Sequence, residues 1–222
     1  MLVSAYLARS AKVHHARSAP DAFVTNALHR GIALVMLLLL SPLMLVVAGL
    51  IWRTDGAPIF FGHYRVGRGG RLFRCLKFRT MRRDAEAVLV RLIRDDPAAA
   101  CEWARDQKLS NDPRITPVGS FLRKTSLDEL PQLINVLRGD MCLVGPRPVT
   151  APELIRYDNV RWHYVSVTPG ITGLWQVSGR NNTTYEERVA LDRRYVESSG
   201  LLMDLKILCR TVWVVVTGHG AC

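Results

Sequence analysis

The 222-residue sequence is poor in acidic residues and carries no recognisable cysteine motif. Its 30 lysines and arginines outnumber 19 aspartates and glutamates, which gives a formal net charge of +11. This imbalance favours anionic partners, such as nucleic acid, anionic lipid headgroups or phosphorylated small molecules. The five cysteines are scattered, odd in number and never spaced as Cys-x-x-Cys, which argues against a zinc site or a disulfide framework and fits a reducing compartment.

Signatures of several other enzyme classes are also missing. The chain has no Gly-x-Gly-x-x-Gly fingerprint, no Walker A loop and no Gly-x-Ser-x-Gly elbow, so a dinucleotide site, a P-loop and a serine hydrolase are not indicated. Glycines are nevertheless concentrated in residues 169–181, which include Trp175 and Arg180. This stretch is predicted to be a loop whose backbone can approach a ligand closely.

One uncharged stretch, residues 32–52, is long enough to enter a bilayer. A crossing takes about 20 apolar residues. Ser41-Pro42 lies in the middle of this stretch, and Pro42 cannot donate a helical hydrogen bond to the carbonyl of Leu38, which predicts a kink or a break. The Ser41 hydroxyl is predicted to donate to the carbonyl of Leu37 and so absorb part of the disruption.

Basic residues flank the membrane stretch on both sides. They are Arg9, Lys12, Arg17 and Arg30 before it, and Arg53, Arg65, Arg68, Arg71, Arg74 and Lys77 after it. By the positive-inside rule, both ends prefer the cytoplasm. A hairpin that enters and leaves the same leaflet, broken at Ser41-Pro42, satisfies both flanks. A straight spanning helix kinked at Pro42 is the alternative, because proline is common in such helices.

The residues that follow predict a β-hairpin and then a basic run. Residues 59–66 and 72–78 are predicted to be strands joined by a glycine-rich turn. Residues 77–83 then predict a phosphate grip that includes Lys77 and Arg79. A solvated, membrane-facing surface and RNA stacking on the interleaved aromatic residues are the alternatives.

The rest of the chain is predicted to be mainly helical, which with the hairpin gives a mainly α fold with a small β-hairpin (α+β). Helices are predicted at 84–95, 98–109, from Thr116-Pro117 onward, and at 127–137, 152–158, 185–196 and 201–216. Asp192 is expected on an outward or ligand-facing side of its helix. The last helix is predicted to lie in the membrane interface with Trp213 as an anchor; a buried core helix is the alternative.

An adjacent acid pair, Asp128-Glu129, follows two cations, Arg123 and Lys124. Ser126 and Glu129 have the spacing of a capping box, which would place both acids in the first turn of a helix. They are either capping acids that complement the helix dipole or reactive groups. A carboxylate can attack phosphorus and form an acyl phosphate, and its neighbour can hold Mg²⁺ against a diphosphate.

A further cation, Arg147, lies in the rigid segment 144–148. Pro146 and Pro148 restrict the backbone around it, so that its planar guanidinium would be held where a phosphate can bind. An exposed arginine on a stiff turn is the alternative.

Taken together, these motifs resemble the bacterial monotopic phosphoglycosyl transferases, the initiating sugar transferases of exopolysaccharide, O-antigen and glycoprotein assembly. The resemblance covers residues 26–220, and the chain is most similar to the short hexosyl-1-phosphate transferases of acidic exopolysaccharides. Cys142 departs from the family, which usually has serine there. The motifs, in order, are Ser41-Pro42 in an apolar helix, Lys77-Phe78-Arg79-Thr80-Met81, Ser126-Leu127-Asp128-Glu129-Leu130, Gly139-Asp140-Met141, Gly145-Pro146-Arg147-Pro148 and Pro169-Gly170-Ile171-Thr172-Gly173.

The resemblance implies a reaction and a role for each motif. A UDP-hexose and undecaprenyl phosphate would be the substrates, Asp128 the nucleophile that displaces UMP, and Glu129 the Mg²⁺ ligand. Arg123 and Arg147 would hold phosphate groups. Weaker candidates for the same task are Lys77, Arg180 and Asp192. The fold would be a largely helical, monotopic domain held at the cytoplasmic face of the bacterial inner membrane by a re-entrant helix and amphipathic helices.

The predicted organisation is a basic flexible tail (1–26), a re-entrant membrane helix (27–53) and a catalytic domain with an interfacial C-terminal helix (54–222). Membrane lipids are expected partners and nucleic acid is not. The oligomeric state, a homo-oligomer included, and the choice between galactose and glucose stay open. Two other classes also stay open. A membrane-tethered nucleic-acid-binding or scaffold protein does not account for the acid pair, and another lipid phosphotransferase usually needs several spanning helices.

Overall fold

The structure is a computed structural model that describes residues 19–106, 109–179 and 183–217. These residues are mainly helical, as predicted, with two small two-stranded sheets. The helices are α1 (Ala19–Asp55), α2 (Ala85–Asp95), α3 (Pro97–Asp106), α4 (Pro117–Thr125), α5 (Gln132–Arg138), α6 (Ala151–Ile155), α7 (Arg161–Ser166), α8 (Leu174–Ser178), α9 (Tyr185–Ser198) and α10 (Leu201–Thr217). The strands are β1 (Phe60–Val66), β2 (Leu72–Phe78), β3 (Cys142–Val144) and β4 (Gly170–Thr172).

The chain divides into two compact units that alternate along the sequence. The first unit lies within Met1–Ser41, Gly62–Leu76 and Pro131–Cys222, and the second within Pro42–Phe61 and Lys77–Leu130. The sequence-based division into 1–26, 27–53 and 54–222 does not coincide with these units. One boundary falls inside α1, between Ser41 and Pro42.

Helix α1 begins earlier than the sequence predicts. Residues 19–26, assigned to the flexible tail, are helical, whereas residues 1–18 lie outside the described part of the chain. Pro20 lies in the first turn of α1, where its missing N–H removes no intrahelical hydrogen bond.

Ser41-Pro42 does not end the helix, since α1 continues through Pro42. The Ser41 hydroxyl donates to the carbonyl of Leu38 at 2.8 Å, and not to that of Leu37 as predicted. The reason is that Leu38 is four residues before Pro42 and its carbonyl is therefore the one that the proline leaves without a donor. Ser41 thus repairs the defect that Pro42 creates. Of the described helices, α1 contains the one stretch that is long and apolar enough to cross a membrane, Val24–Asp55.

The core of the first unit joins α1, β2, α5, β3 and the last two helices. Strands β3 and β4 pair in parallel, with Cys142 beside Gly170 and Val144 beside Thr172. A Cβ at Gly170 would overlap the backbone of Val144 and Gly145, so only glycine permits this spacing. Residues 169–181, predicted as a loop, therefore contain strand β4 and helix α8 where they are described, because their glycines allow close strand pairing.

Helix α10 has one buried and one exposed side. Asp204 and Ile207 are each 1% exposed, whereas Leu202 is 75% and Trp213 is 70% exposed. The buried side fits the core-helix alternative, and the exposed side carries the apolar residues, Trp213 included, on which the interfacial prediction rests. Contact between the exposed side and a membrane stays a prediction.

In the second unit, residues 80–82 lie against the segment that leads into α4. Met81 and Ile115 form an antiparallel bridge, and the N–H of Arg82 donates to the carbonyl of Arg114 at 2.8 Å. Thr116 caps α4 as predicted, since its hydroxyl accepts a hydrogen bond from the N–H of Gly119 at 2.9 Å. This pairing brings the basic run that begins at Lys77 to the start of the helix that carries Arg123.

Candidate active site

The acid pair lies on a tight turn and not in the first turn of a long helix. Ser126 has a left-handed backbone (φ 58°) as the C-cap of α4, and its side chain makes no capping hydrogen bond. The predicted capping box between Ser126 and Glu129 is therefore wrong, because a residue that ends one helix in this conformation cannot also cap the next. Leu127–Glu129 forms a single 3₁₀ turn, and α5 begins only at Gln132.

Lys77 joins the two acids of this turn. Its Nζ lies 2.6 Å from Oε1 of Glu129 and 3.4 Å from Oδ2 of Asp128. The Asp128 side chain is 10% exposed and that of Glu129 is 20% exposed, so both ion pairs are largely shielded from water. One ammonium group therefore offsets the repulsion between two adjacent carboxylates.

Burial dominates the electrostatics of Asp128. It raises the pKa of this carboxyl above its ordinary value, and the Glu129 carboxylate raises it further. The ammonium of Lys77 and the guanidinium of Arg123 act in the opposite direction but do not cancel the effect of burial. A buried acid with a perturbed pKa beside specific cations is the kind of group found at reactive sites.

Arg123, on the last turn of α4, belongs to the same group of side chains. Its Nε donates to the hydroxyl of Thr80 at 2.9 Å. Burial lowers the pKa of Arg123, while the carboxylates of Asp128 and Asp112 favour its charged form. Of the predicted residues, the structure thus brings Lys77, Arg123, Asp128 and Glu129 together within the second unit.

Arg79 contacts the C-terminal end of α1. Its side chain is 8% exposed, and its Nη2 donates to the backbone carbonyls of Asp55 and Gly56 at 3.0 and 2.7 Å. Nη2 also lies 2.8 Å from the Asp55 carboxylate. Arg79 therefore neutralises the C-terminal end of α1, where carbonyls lack helical partners. Phosphate binding by Arg79 stays a prediction.

Arg147 and Asp192, two of the predicted site residues, lie in the first unit and belong to a second polar cluster. Asp192 is 2% exposed, so of the two expected positions the outward one is excluded, and Oδ2 accepts a hydrogen bond from the Tyr157 hydroxyl at 2.8 Å. Burial raises the pKa of Asp192 to about 7, opposed by Tyr157 and by the charge of Arg147. The guanidinium of Arg147 lies 6.0 Å from the Trp175 ring. Arg180 lies outside the described residues.

Cys142, the departure from the family pattern, is buried in β3. Its Sγ lies 2.9 Å from the carbonyl oxygen of Val144 and 3.1 Å from that of Thr168. The family usually has a serine hydroxyl at this position. The thiol of Cys142 can also donate a hydrogen bond, and it has backbone acceptors within reach.

Sequence reasoning missed Thr80, Tyr157 and Asn135. Thr80 stood inside a recognised motif but its contact with Arg123 joins residues 43 positions apart. Asn135 is fully buried and bonds to the backbone of Arg74 and Leu76, and Tyr157 lies 35 positions from Asp192. Helical or strand periodicity reports only local partners, so no sequence signal marked these contacts.

The acid turn carries carboxylate oxygens, which are the type of donor that Mg²⁺ prefers. Mg²⁺ prefers oxygen ligands and is usually held by one or two carboxylates together with substrate phosphates. No cluster of three or more His, Cys, Asp or Glu side chains occurs within residues 19–106, 109–179 and 183–217. An ion here would therefore depend on Glu129, beside Asp128, and on oxygens supplied by the substrate.

Known proteins place the chain in a family. A sequence model described as bacterial sugar transferase matches residues 21–218. The chain is 50% identical over 190 residues to the exopolysaccharide production protein ExoY of Sinorhizobium fredii. The matched residues cover 86% of this chain and 84% of that protein.

Two further relatives are longer proteins with more specific names. The chain is 52% identical over 189 residues to the undecaprenyl-phosphate galactose phosphotransferase of Salmonella typhimurium, covering 85% of this chain and 40% of that protein. It is 40% identical over 188 residues to the UDP-glucose:undecaprenyl-phosphate glucose-1-phosphate transferase of Xanthomonas campestris pv. campestris, covering 81% and 36%. The chain therefore belongs to the bacterial sugar transferase family and is a sugar transferase.

Proposed function

We propose that this chain transfers a hexose-1-phosphate from a UDP-hexose to undecaprenyl phosphate and releases UMP. The reaction passes through a covalent intermediate on Asp128. The observation that supports this most strongly is the arrangement of one buried carboxylate, Asp128, against the ammonium of Lys77, with Arg123 close enough to influence its pKa. The names of the relatives, which include a galactose and a glucose phosphotransferase, point to the same class of donor and acceptor.

In the first step, an Oδ atom of ionised Asp128 forms a bond to the phosphorus that carries the sugar. The bond from that phosphorus to the bridging oxygen breaks, and UMP leaves with the electron pair. Lys77 and Arg123 stabilise the negative charge that develops on the phosphate oxygens, because fixed cations in a shielded place act more strongly than in water. The product on the protein is an acyl phosphate, a known form of carboxylate catalysis.

In the second step, a phosphate oxygen of undecaprenyl phosphate attacks the same phosphorus. The acyl–phosphate bond breaks, the carboxylate of Asp128 is restored, and the lipid diphosphate sugar leaves. Lys77 then offsets the returning negative charge, since its Nζ lies 3.4 Å from Oδ2 of Asp128. The same side chain therefore serves both halves of the reaction.

Glu129 is proposed as the ligand of a magnesium ion. Bound Mg²⁺ would neutralise diphosphate oxygens as UMP departs. Glu129 supplies the carboxylate, and Lys77, whose Nζ lies 2.6 Å from it, keeps this carboxylate next to Asp128.

The acceptor is a lipid, so the protein must reach the membrane. Helix α1 presents apolar side chains to its surroundings, including Leu38, Leu39 and Leu45, which are 65%, 74% and 72% exposed. An apolar surface of this extent suits the hydrocarbon of a bilayer. We propose that α1 enters the cytoplasmic leaflet and returns, with a bend at Ser41-Pro42, which keeps both basic flanks on the cytoplasmic side.

The donor is proposed to be UDP-galactose or UDP-glucose. The test is a panel of UDP-sugars, incubated with the full chain in lipid nanodiscs that contain undecaprenyl phosphate, with UMP release as the readout. Mass spectrometry of protein quenched without the lipid acceptor is expected to find a hexose phosphate on Asp128. Asp128→Asn should lose both the adduct and UMP release. Near-normal turnover in this variant, or an adduct on another residue, would contradict the proposal.

The same assay separates the other two classes. A scaffold or nucleic-acid-binding protein would release no nucleotide and would be indifferent to removal of Mg²⁺. A different lipid phosphotransferase acting on CDP-activated substrates would release CMP in place of UMP.

A further inference from the structure

The side chain of Thr80 makes a contact that no sequence motif explains. Its hydroxyl oxygen accepts a hydrogen bond of 2.9 Å from Nε of Arg123. Thr80 is 7% exposed, so this bond is shielded from competition by water. Both residues belong to the second unit, as does Asp128.

The backbone of Thr80 is fixed independently of its side chain. Its carbonyl accepts a hydrogen bond from the N–H of Thr116 at 3.1 Å. Gly119, in the first turns of α4, lies so close that a Cβ there would overlap the same carbonyl oxygen. Next to it, the bridge between Met81 and Ile115 continues the pairing. The first turns of α4 are therefore held firmly against Thr80, and the hydroxyl stands at a fixed place along the helix.

The bond to Nε determines how the guanidinium of Arg123 is turned. A guanidinium is planar and presents its donors along fixed directions. Once Nε is engaged, the plane can no longer rotate freely, and the edge that includes Nε is occupied. The structure gives the two terminal nitrogens of Arg123 no hydrogen-bond partner among the described residues. These two nitrogens form the other of the two edges with which an arginine can bind two oxygens of a phosphate.

The guanidinium of Arg123 is close enough to the acid turn to interact with the charge of Asp128. Arg123 stands four residues before Leu127, where the turn begins, and the charge of Asp128 favours the ionised form of its guanidinium. A phosphate that approaches Asp128 would thus meet an arginine whose orientation is already set. Pre-set orientation matters because a donor that must first be ordered contributes less to binding and catalysis.

We propose that Thr80 is a positioning residue for Arg123 in the sugar-phosphate transfer proposed above, on which this inference rests. The hydroxyl of Thr80 receives Nε and so directs the two terminal nitrogens of Arg123 to the transferring phosphate. The threonine itself does not contact the substrate.

A purely structural role for Thr80 is separable from this one. The packing of α4 uses the backbone carbonyl of Thr80, whereas Arg123 uses its hydroxyl. Thr80→Val keeps the shape and the backbone but removes the acceptor, and Thr80→Ser keeps the acceptor. Arg123→Lys keeps a positive charge but has no Nε, so the hydroxyl loses the atom that it positions.

The experiment is a double-mutant cycle on UMP release by the full chain in nanodiscs, with kcat and KM for the UDP-sugar measured separately. Thr80→Val should lower kcat/KM about tenfold, since a hydrogen bond to a charged group is stronger than one between neutral groups. Thr80→Ser should recover most of that loss. In the Arg123→Lys background, Thr80→Val should cost less than about twofold, because coupled sites are not additive.

The opposite outcomes are distinct. The inference would be overturned if the losses of kcat/KM in the two single variants multiplied in the double variant. It would also be overturned if Thr80→Ser lost as much kcat/KM as Thr80→Val and its Tm fell, because the role of Thr80 would then be structural. Both results leave the proposed function standing, because the wild-type chain still releases UMP. Absence of UMP release by the wild-type chain with every UDP-sugar overturns both proposals together.

Discussion

Lys77 lies closer to Glu129 than to the acid whose reaction it is proposed to assist. Nζ is 2.6 Å from Oε1 of Glu129, and the corresponding distance to Asp128 is 3.4 Å. The ammonium group thus belongs to the acid pair as a whole. Because Asp128 is the more buried of the two acids, loss of the charge on Lys77 should affect it strongly.

Replacement of Lys77 by methionine should change the pH dependence of transfer. Asp128 attacks only as a carboxylate, and burial already raises its pKa. Activity is therefore present above the pKa of Asp128 and is lost as the pH falls through it. Without the ammonium the pKa of Asp128 rises further, so the acid limb of kcat/KM should move to higher pH, in addition to a lower maximum.

The matched control for this prediction is Lys77→Arg, which preserves the positive charge. Its acid limb should stay near that of the wild-type chain even if its maximum falls. An unchanged acid limb in Lys77→Met would mean that the limb reports some group other than Asp128.

The acid turn illustrates what could and could not be predicted from the sequence. Thr116-Pro117 was correctly predicted as a helix start, because a cap hydroxyl and a first-turn proline act within one turn. The capping box at Ser126 was wrong, although its spacing was right. Ser126 ends α4 with a left-handed backbone and its side chain makes no capping hydrogen bond. The spacing of Ser126 and Glu129 carries no information on where the preceding helix ends.

Glu129→Gln should weaken the response to Mg²⁺. An amide keeps the size of the side chain but loses the negative charge that a hard cation prefers. We expect a lower kcat and about a tenfold higher Mg²⁺ concentration for half-maximal UMP release, in line with typical losses around metal sites. Glu197→Gln, at an exposed glutamate that pairs with Arg193, is the control and should titrate as the wild-type chain does. An unchanged Mg²⁺ titration in Glu129→Gln would remove this residue from the metal site.

Asp192 should make the stability of the protein depend on pH. Its folded-state pKa is raised from 3.8 to about 7, so the folded chain binds a proton that the unfolded chain has released. This contribution to stability is fully present below about pH 4 and is lost as the pH rises towards 7. The loss is about 1.4 kcal/mol for each pH unit inside that window.

The variant Asp192→Asn isolates this effect, because asparagine does not titrate. The free energy of unfolding of Asp192→Asn, or its Tm in nanodiscs, should rise relative to that of the wild-type chain as the pH is raised from 5 to 7. Above pH 8 the two curves of stability against pH should be parallel. Tyr157→Phe removes the hydroxyl that donates to Asp192 and so raises the pKa of Asp192 further, which should extend the loss of stability to higher pH than in the wild-type chain. Parallel curves for Asp192→Asn and the wild-type chain from pH 5 to 7 would show that Asp192 stays ionised throughout.

Contacts over long sequence distances account for the remaining differences between prediction and structure. Residues 169–181 were predicted as a loop from their glycines, but the parallel partner of β4 is β3, 28 positions earlier at Cys142 and Gly170. The glycines that suggested a loop are the residues that permit this close pairing. Asp192 was expected on an outward or ligand-facing side of its helix, and the helical period could not reveal its buried hydrogen bond with Tyr157.

The final prediction concerns the bend proposed in α1. Pro42 deprives the Leu38 carbonyl of its helical donor, and Ser41 supplies one in its place at 2.8 Å. The pair therefore weakens the helix at one point without leaving a polar group unpaired, which a bilayer would penalise heavily. Replacement by Leu-Leu or Ala-Ala would restore the full hydrogen-bond ladder and favour a straight helix of spanning length.

We expect the Leu-Leu variant to carry the N-terminus across the membrane and to lose most transfer activity. The measurement is labelling of Ser4→Cys by an impermeant maleimide, in intact and in opened cells, with the other cysteines replaced. Ser41→Ala alone is the matched control: it keeps Pro42, so the label should stay accessible only in opened cells, while the unpaired Leu38 carbonyl lowers Tm. Labelling of the Ser4→Cys chain in intact cells, with Ser41-Pro42 in place, would contradict the re-entrant arrangement. It would mean that α1 spans the membrane as a kinked helix with its N-terminal basic flank outside, against the charge bias.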